Sequence, residues 1–400
     1  MKIVLDIETN SQHNHIWMCV TRNIETNEVK VWKQASGLQE YLAGCDLIIM
    51  HNGINFDSQV LKEIWKVTMK LSQVCDTLVL SRLLNPSFEG GHSLEAWGQR
   101  LDFPKGDFND WDAGWSQEME DYCIQDTLVT EKLFYRLVAS LQLEEFSLQS
   151  QELEHEVQAV ITKQEKAGFK LDELNAISLL AELKAKLDAI QVEMQIIFPA
   201  KVTAGRTHKA SGKPLRDIVE HFNPGSRKQI AERLIEKGWK PTKHTEKGSV
   251  IVDETTLEGL DFPEAKAIAE YLMLQKRIAQ VESWLEAMES DGRVHGRVIT
   301  NGAVTGRMTH MSPNMAQVPN SGAIYGPECR ELWIVEKGNK LVGIDASGLE
   351  LRMLAHYMND NVYTHEVIAG DIHTANQTAA GLQTRNQAKT FICLMFRLLS

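Results

Sequence analysis

Short apolar runs and helical spacing alternate along the first 140 residues of the chain. Residues 3–7 and 46–50 are compact apolar runs followed by polar turn residues, and each predicts a buried strand. Residues 57–66 and 117–138 carry apolar positions at helical spacing. This alternation predicts an α/β domain over residues 1–145.

From residue 151 the pattern changes to long amphipathic helices. One helix is predicted to end at Gly168, and another to run from about Glu173 to Phe198. Residues 201–221 are polar and predict a mobile loop, which is followed by a helix with Ser226 as its N-cap. A further helix over about 264–289 completes a mainly helical region, predicted to span residues 151–290.

The remaining residues, 291–400, return to a mixed pattern. The stretch 293–318 is rich in Gly, Thr and Asn and predicts strands joined by tight turns. Residues 341–345 predict a buried strand that ends in the carboxylate of Asp345 and runs into a helix from about Gly348. The chain length of 400 residues suits the three regions that this pattern gives.

Composition indicates a globular protein without a membrane span. Hydrophobic residues make up 43% of the chain and charged residues 24%, and no apolar run approaches the ~18 residues that a membrane helix needs. The acidic Asp6 comes too early for a secretory signal peptide. The six cysteines form no C-x-x-C pair, so neither a zinc site nor a disulfide framework is indicated. We therefore expect a cytoplasmic protein with reduced cysteines.

The formal net charge of −12 is unevenly distributed. Residues 1–150 hold 12 Lys and Arg against 22 Asp and Glu, whereas residues 201–243 hold 11 basic residues against 4 acidic ones. The first region is thus acidic, and the second contains a cationic stretch. Such a stretch is typical either of a nucleic-acid contact or of a solvated surface loop.

Four carboxylates and a tyrosine in the first region form a candidate metal site. Asp6 and Glu8 are two residues apart in a predicted strand, so their side chains lie on the same face. Asp57 follows the second apolar run near the start of a helix, and Tyr122 and Asp126 are four residues apart on one helical face. Such oxygen ligands suit Mg²⁺ or Mn²⁺. Two such ions would serve phosphodiester hydrolysis, with Tyr122 orienting the attacking water.

The order of these motifs, DxE then NxxxFD then YxxxD, resembles the DEDDy superfamily of 3′→5′ exonucleases, which includes the proofreading domains of family A DNA polymerases. The resemblance implies a ribonuclease H-like fold, in which a mixed sheet is covered by helices. It also implies that Asp6, Glu8, Asp57 and Asp126 are ligands of two Mg²⁺ or Mn²⁺ ions. Single-stranded DNA 3′ ends would be the substrate.

The last region resembles part of the polymerase domain of the same family. Residues 345–352 resemble polymerase motif A, in which Asp345 and the carbonyl of Ala346 would bind the catalytic metals. Glu350 would then lie against the sugar of the incoming nucleotide. These roles follow from the resemblance.

Further motifs resemble the fingers and palm, where a nucleotide and primer–template DNA are held. His373, Arg385 and Lys389 would hold the triphosphate, and the four-residue spacing of the last two places both cations on one helical face. Arg307 and Gln317 could contact minor-groove acceptors of the DNA.

Residues 222–227 resemble the thumb, which grips the duplex backbone at a helix N-terminus. Asn223, Ser226 and Arg227 would make these contacts. The likeness as a whole covers essentially residues 1–392 and is strongest to the replicative polymerases of short-tailed bacteriophages. It implies a mainly α thumb followed by an incomplete α+β palm and fingers. Only residues 202–221 occupy the place of a thioredoxin-binding insertion, so thioredoxin is not expected as a partner.

The polymerase site is expected to be incomplete. The family supplies its second palm aspartate in a His-Asp motif, and no His-Asp dipeptide occurs in these 400 residues. We therefore expect that the chain by itself does not extend a primer or use a dNTP, unless a second polypeptide completes the palm. Two alternatives remain open, an autonomous 3′→5′ exonuclease and a non-catalytic DNA-binding remnant or subunit of a split polymerase.

Overall fold

The computed structural model describes residues 1–204, 216–245, 247–253, 256–257, 259–385, 387–388 and 390–391. The chain forms two compact units, Met1–Val335 and Glu336–Ser400, which are described separately. The boundary between them lies inside the third region of the sequence analysis. The division into residues 1–145, 151–290 and 291–400 therefore stays a prediction.

The first unit begins with a five-stranded mixed sheet covered by helices, as the sequence pattern predicts. Its elements are β1 (Lys2–Thr9), β2 (Ile16–Asn23), β3 (Val29–Trp32), α1 (Leu38–Ala43), β4 (Leu47–Met50), α2 (Asp57–Val60) with a π-helical turn (Leu61–Trp65), β5 (Val74–Asp76), α3 (Thr77–Leu84), α4 (Leu94–Arg100) and α5 (Gln117–Leu143). The strand order is β3-β2-β1-β4-β5. The central strand β1 runs antiparallel to β2 and parallel to β4.

The side-chain alternation of β1 separates an apolar core from the candidate site. Ile3, Leu5 and Ile7 are buried in a cluster that includes residues of α1 and of the α2 turn. Asp6 and Glu8 occupy the alternate positions and share the face that α5 covers. The strand therefore presents two carboxylates on one side because its other side is needed for packing.

A mainly helical part follows, and its helices agree with the predicted ones. Its elements are α6 (Leu148–Ala167), β6 (Phe169–Leu171), α7 (Glu173–Ile197), β7 (Lys201–Thr203), β8 (Ile218–Glu220), α8 (Arg227–Glu236) and α9 (Pro263–Glu286). Helix α6 ends at Gly168, whose φ is +59° and whose missing Cβ leaves room for the His295 ring. The long helices α7 and α9 share a core that includes Leu183, Leu274 and Trp284.

The segment predicted as a loop over 201–221 begins and ends in short paired strands. β7 and β8 pair antiparallel, with Val202 opposite Val219 and Thr203 opposite Ile218. These β-branched residues favour extended backbone, which the polar composition of the segment obscured. Residues 205–215 of the predicted loop lie outside the described part of the chain.

The first unit closes with short strands, as predicted over 293–318. They are β9 (Arg293–Val294), β10 (Arg297–Ile299) and β11 (Thr309–Met311), followed by a 3₁₀ turn (Met315–Gln317), α10 (Gly326–Glu331) and β12 (Trp333–Ile334). β10 pairs with β11, and β6 lies between β12 and β9 in a small sheet. This sheet joins the end of the unit to the segment between α6 and α7.

The second unit contains α11 (Leu349–Met358), α12 (Asn361–Ala369) and α13 (Ile372–Ala379), which pack around a small apolar cluster. The helix predicted from Gly348 is confirmed, but the buried strand predicted over 341–345 is wrong. Ile344 is 95% exposed, and the segment has no regular structure. A strand needs a neighbour for its N–H and C=O groups, and no described strand pairs with this segment. Among the described helices, none is long and apolar enough to cross a membrane.

Candidate functional site

The first two predicted ligands lie close together at the centre of the sheet. Asp6 is half-buried and Glu8 is 7% exposed. A carboxylate oxygen of Asp6, a carboxylate oxygen of Glu8 and the Sγ of Cys123 on α5 all lie within 4.8 Å of one another. Cys123 donates its S–H to Asp6 Oδ2 at 3.5 Å. The two-residue spacing thus places the carboxylates of Asp6 and Glu8 close together, and α5 packs against them through Cys123.

The third predicted ligand, Asp57, is placed by the turn between β4 and α2. It lies at the start of α2, is 3% exposed, and accepts a hydrogen bond from the backbone N–H of Ile7 on β1. The turn itself is held by Asp76, whose carboxylate accepts from the N–H groups of Asn52 at 2.9 Å and Ile54 at 3.0 Å. Asp76 is only 1% exposed and also caps α3. It is a positioning residue that the sequence reasoning missed.

The fourth predicted ligand, Asp126, lies on α5 one turn after Tyr122. Asp126 Oδ2 forms a 2.9 Å ion pair with Lys105 Nζ, while Asp126 Oδ1 is buried and has no hydrogen-bond partner among the described residues. Lys105 Nζ also lies 4.7 Å from the centre of the Tyr122 ring. Sequence reasoning missed Lys105, because a lysine in a Pro-Lys-Gly loop carries no signal until the fold places it beside the carboxylates.

Aromatic side chains hold Tyr122 in place. The ring centroids of Phe108 and Trp111 lie 6.0 Å and 5.5 Å from that of Tyr122. Trp17 on β2 donates its indole N–H to the carbonyl of Trp111 at 2.9 Å, which ties this loop to the sheet. An open cavity of about 470 Å³ borders the site, with Lys105 and Tyr122 among its lining residues.

The four carboxylates affect one another electrostatically. Burial raises the pKa of Asp6 well above its ordinary value, and the charges of Glu8, Asp57 and Asp126 raise it further. Burial likewise raises the pKa of Glu8 to about 8 and that of Asp57 to about 7. The pKa of Asp126 is also raised by burial, although Lys105 opposes the shift. Buried like charges of this kind are stable in the ionised form only with a cation between them.

Tyr122 and Lys105 both have raised pKa values and both stay protonated at neutral pH. Burial raises the pKa of Tyr122 to about 12, so the phenol stays protonated at neutral pH. Burial opposes the charge on Lys105, but Asp126 and hydrogen bonds to Tyr122 and Asp126 raise its pKa overall. The site therefore holds one fixed cation and one O–H donor beside four acids.

The residues predicted for the polymerase half are not brought together in this way. Asp345, Ala346 and Glu350 are exposed. Within the described residues, Asp345 belongs to no group of three potential metal ligands. Their predicted roles are not tested by this geometry.

The predicted nucleotide-binding residues lie in the last described helices. Asp371 caps α13, and Arg385 donates two hydrogen bonds to its carboxylate at 2.8 and 3.0 Å. These bonds hold the pKa of Asp371 well below its usual range. His373 is half-buried in the first turn of α13. Lys389 lies outside the described residues.

The predicted DNA contacts fall into two places. Ser226 caps α8 by accepting from the N–H of Gln229, and Asn223 accepts from the N–H of Gly225. The Arg227 guanidinium donates to a backbone carbonyl, that of Val252. Asn223 and Ser226 thus shape the N-terminus of α8, whereas Arg227 contacts the segment that contains Val252. In the palm-like part, the two predicted residues, Arg307 and Gln317, are exposed.

Comparison with known proteins assigns the chain to a family. Residues 200–392 match the model of DNA polymerase family A. The chain is 34% identical to the DNA-directed DNA polymerase of Escherichia phage T7, in an alignment that covers 89% of this chain and 68% of the phage enzyme. For the polymerase of Enterobacteria phage T3 the identity is also 34%, over 86% of this chain and 67% of that protein.

A solved structure has a similar fold. The POL domain of Pol1 from M. smegmatis, in complex with DNA primer-template and dNTP, superimposes with a TM-score of 0.74 at 17% identity. The match covers 98% of this chain and 66% of the mycobacterial one, so the chain spans a little under two thirds of that structure. The phage relatives and the family model show that the chain belongs to the family A DNA polymerases and is a homologue of the T7 and T3 phage enzymes.

Proposed function

We propose that residues 1–145 form a two-metal 3′→5′ exonuclease domain, which proofreads for a phage-type DNA polymerase. The observation that carries this proposal is the close approach of the Asp6 and Glu8 carboxylates on β1, with Asp57 and Asp126 buried near enough for their charges to act on Asp6. Acids that serve only solubility lie on the surface, because burying unpaired carboxylates is costly. Here the fold keeps four carboxylates together, with an ion pair from Lys105 to Asp126, which is typical of a site that binds cations.

The residues present fit divalent ions. Asp126 Oδ1 is a buried acceptor without a partner among the described residues, and Asp6 with Glu8 offers two more oxygens within ligand distance of each other. Family A polymerases use Mg²⁺, a cation that prefers oxygen ligands. We assign Asp6, Glu8, Asp57 and Asp126 as ligands of two Mg²⁺ or Mn²⁺ ions. Bound there, the ions would activate a water and stabilise the leaving oxygen of a phosphodiester.

The surrounding residues of the chain prepare this chemistry. Tyr122 stays protonated, so its O–H can orient an attacking water by a hydrogen bond. Lys105 partly neutralises Asp126 and keeps the Tyr122 ring against it. Asp76 fixes the turn that delivers Asp57. The substrate in this proposal is the 3′ end of single-stranded DNA.

For the remaining residues we propose roles in gripping DNA and nucleotide. The cationic stretch over 201–243, with Asn223, Ser226 and Arg227, would hold the duplex backbone, and Arg307 with Gln317 would contact primer–template DNA.

Asp345, Ala346 and Glu350, with His373, Arg385 and Lys389, would form the nucleotide side of a polymerase site. Asp345 belongs to no group of three potential metal ligands among the described residues, and we propose that primer extension at this site requires a second palm aspartate. Such an enzyme would act in DNA replication in the cytoplasm of a phage host, and thioredoxin is not proposed as a partner.

The test is degradation of a 5′-labelled single strand by the full 400-residue chain with Mg²⁺. A ladder that shortens from the 3′ end is expected, and Asp6→Ala and Glu8→Ala should each abolish it. Glu118→Ala, which removes an exposed acid from the first turn of the same helix α5, is the matched control and should degrade DNA normally. Equal degradation by the Asp6→Ala variant would show that the cluster is not the nuclease site.

The same preparation separates the competing functions. An intact strand after incubation with Mg²⁺ and with Mn²⁺ would favour the non-catalytic DNA-binding alternative. Degradation without synthesis on a primer–template, followed by synthesis when a downstream polymerase fragment is co-expressed, would support the split polymerase. Degradation that no fragment can convert into synthesis would support the autonomous exonuclease.

A further inference from the structure

The buried side of helix α6 is largely polar. Three of its four buried residues are His155, Gln158 and Thr162, and each of them is no more than 7% exposed. The same helix leaves the apolar Leu153 and Val160 56% and 60% exposed. Burying polar side chains in place of apolar ones is stabilising only where the polar groups find specific hydrogen-bond partners. The partners of these buried residues therefore indicate what α6 holds in place.

His155 contacts the strand that carries Asp76. Its Nε2 accepts the backbone N–H of Asp76 at 2.8 Å, and its Nδ1–H donates to the carbonyl of Gln151 at 2.7 Å. These two bonds fix the neutral ring with its proton on Nδ1, because a carbonyl oxygen can only accept. Asp76 and the ring are both buried, so an apolar replacement of the ring leaves the N–H without a partner. His155 thus fixes the residue whose carboxylate holds the turn before Asp57.

Thr162 contacts the same turn directly. Its hydroxyl lies 3.1 Å from Asn55 Oδ1 and 2.9 Å from the carbonyl oxygen one turn earlier in α6. His155 and Thr162 are seven residues apart, so two helical turns bring both side chains to one face of the helix. The segment 52–57 is therefore held by α6 at two points, once through Asp76 and once through Asn55.

A neighbouring face of α6 is anchored to the segment around β10. Glu165 Oε1 accepts the backbone N–H of Val298 at 2.6 Å, and the carbonyl of Glu165 accepts from Nδ1 of His295 at 2.8 Å. Glu154 Oε2 accepts from the side-chain amide of Asn301 at 2.7 Å. The helix is thus fixed near both ends by groups that lie outside the α/β domain. It provides a firm support for the turn that it contacts.

We propose that α6 is part of the exonuclease site, with His155 and Thr162 as positioning residues for Asp57. This inference rests on the proposed exonuclease function and extends it beyond residues 1–145. All four proposed metal ligands lie in that range, but the support of one of them comes from the helical region that follows. Without this support, binding of a divalent ion has to order the turn as well, and the affinity for the ion falls.

The first measurement uses the metal-free full chain and does not depend on activity. Amide hydrogen exchange of peptides over residues 50–60 should be roughly tenfold faster in His155→Leu, because the Asp76 N–H loses its acceptor. His155→Gln should exchange at the normal rate, since its amide oxygen can accept the same N–H. Normal exchange over β1 shows that each variant is folded. An unchanged rate over residues 50–60 in His155→Leu would overturn the proposal.

The second measurement is the Mg²⁺ concentration that gives half-maximal degradation of a 5′-labelled single strand. This concentration should rise roughly tenfold in His155→Leu and stay near normal in His155→Gln. Thr162→Val, which removes the hydroxyl at nearly constant volume, should also raise it, whereas Thr162→Ser should not. A normal Mg²⁺ requirement in both His155→Leu and Thr162→Val would show that α6 does not position Asp57.

Ile161→Ala is the matched control. Ile161 is 6% exposed on the same helix, and its replacement removes packing but no hydrogen bond. Both measurements should stay near normal in this variant. Changes as large as those in His155→Leu would show a general loss of helix packing and would overturn the positioning role.

Failure of this inference is distinguishable from failure of the exonuclease proposal. If the unmodified chain degrades no DNA, the exonuclease proposal fails, and hydrogen exchange still decides whether α6 holds the turn. If the unmodified chain degrades DNA and His155→Leu matches it in both measurements, the positioning role fails and the exonuclease stands.

Discussion

Replacing Asp76 by Ala removes the carboxylate that holds the turn before Asp57. Asp76 accepts three backbone hydrogen bonds, from the N–H groups of Asn52, Ile54 and Leu78 at 2.9, 3.0 and 3.0 Å. Two of these donors lie in the turn and one lies in the first turn of α3. The substitution therefore disconnects β5 from the segment that positions a proposed metal ligand.

The expected cost follows from the burial of each donor. Loss of the cap on α3 costs about 1 kcal/mol. Ile54 is 3% exposed, so its N–H is left unpaired away from water at a cost of about 1–3 kcal/mol. Asn52 and Leu78 are half-buried, and water recovers part of their loss. The sum is roughly 3 kcal/mol of local stability, concentrated in the turn.

The assay is amide hydrogen exchange over peptides that contain residues 50–60, together with the exonuclease rate. In Asp76→Ala the opening free energy of the turn should fall by about 3 kcal/mol, and degradation should slow because Asp57 is no longer held. Ser93→Ala removes an exposed N-cap that accepts from Ala96 N–H at 3.2 Å, and it should cost only about 1 kcal/mol at α4. A loss in Asp76→Ala no larger than in Ser93→Ala would refute the reasoning.

Three further predictions concern charge and packing. In EDTA the Tm should fall as pH rises from about 4.5 to about 8, because Glu8 ionises near pH 4.5 in the unfolded chain but stays protonated up to about pH 8 in the folded chain. Saturating Mg²⁺ should flatten this pH dependence of the Tm, and an equally steep dependence with Mg²⁺ would contradict the prediction. Lys105→Met should slow degradation by roughly tenfold and move the pH–rate profile to higher pH, since the cation that lowers the pKa of Asp126 and Glu8 is gone. Lys105→Arg keeps the cation and should retain most of the rate, and an unmoved pH–rate profile in Lys105→Met would contradict the prediction. Trp284→Ala should lower the free energy of unfolding by about 3–5 kcal/mol, since this side chain is 2% exposed, while Leu143→Ala, 80% exposed, should change it by less than about 0.5 kcal/mol in urea denaturation.

Local patterns were sufficient for several regular elements of the first unit. Apolar runs and helical spacing predicted β1, β4, α5, α7 and α9, since each of these segments buries one face of its own residues. The sequence pattern failed at residues 341–345, where the apolar run is exposed because a strand depends on partners elsewhere in the chain. The strands at 201–203 and 218–220 were missed because each is stabilised by pairing with the other, which the local pattern of a short polar segment does not show.

By itself the sequence determined the identity of the acidic cluster, because Asp6 with Glu8, Asp57, and Tyr122 with Asp126 each carry a local spacing that survives in the fold. Only the tertiary structure decided what surrounds them. Lys105 comes from a loop without a recognisable motif, and its position beside Asp126 results from packing against Tyr122. The role of Asp76 depends on β5 lying next to β4, and the contact of Cys123 with Asp6 depends on α5 packing against β1. Spacing fixes which side chains share an element, whereas distances between elements are set by the packing of the whole chain.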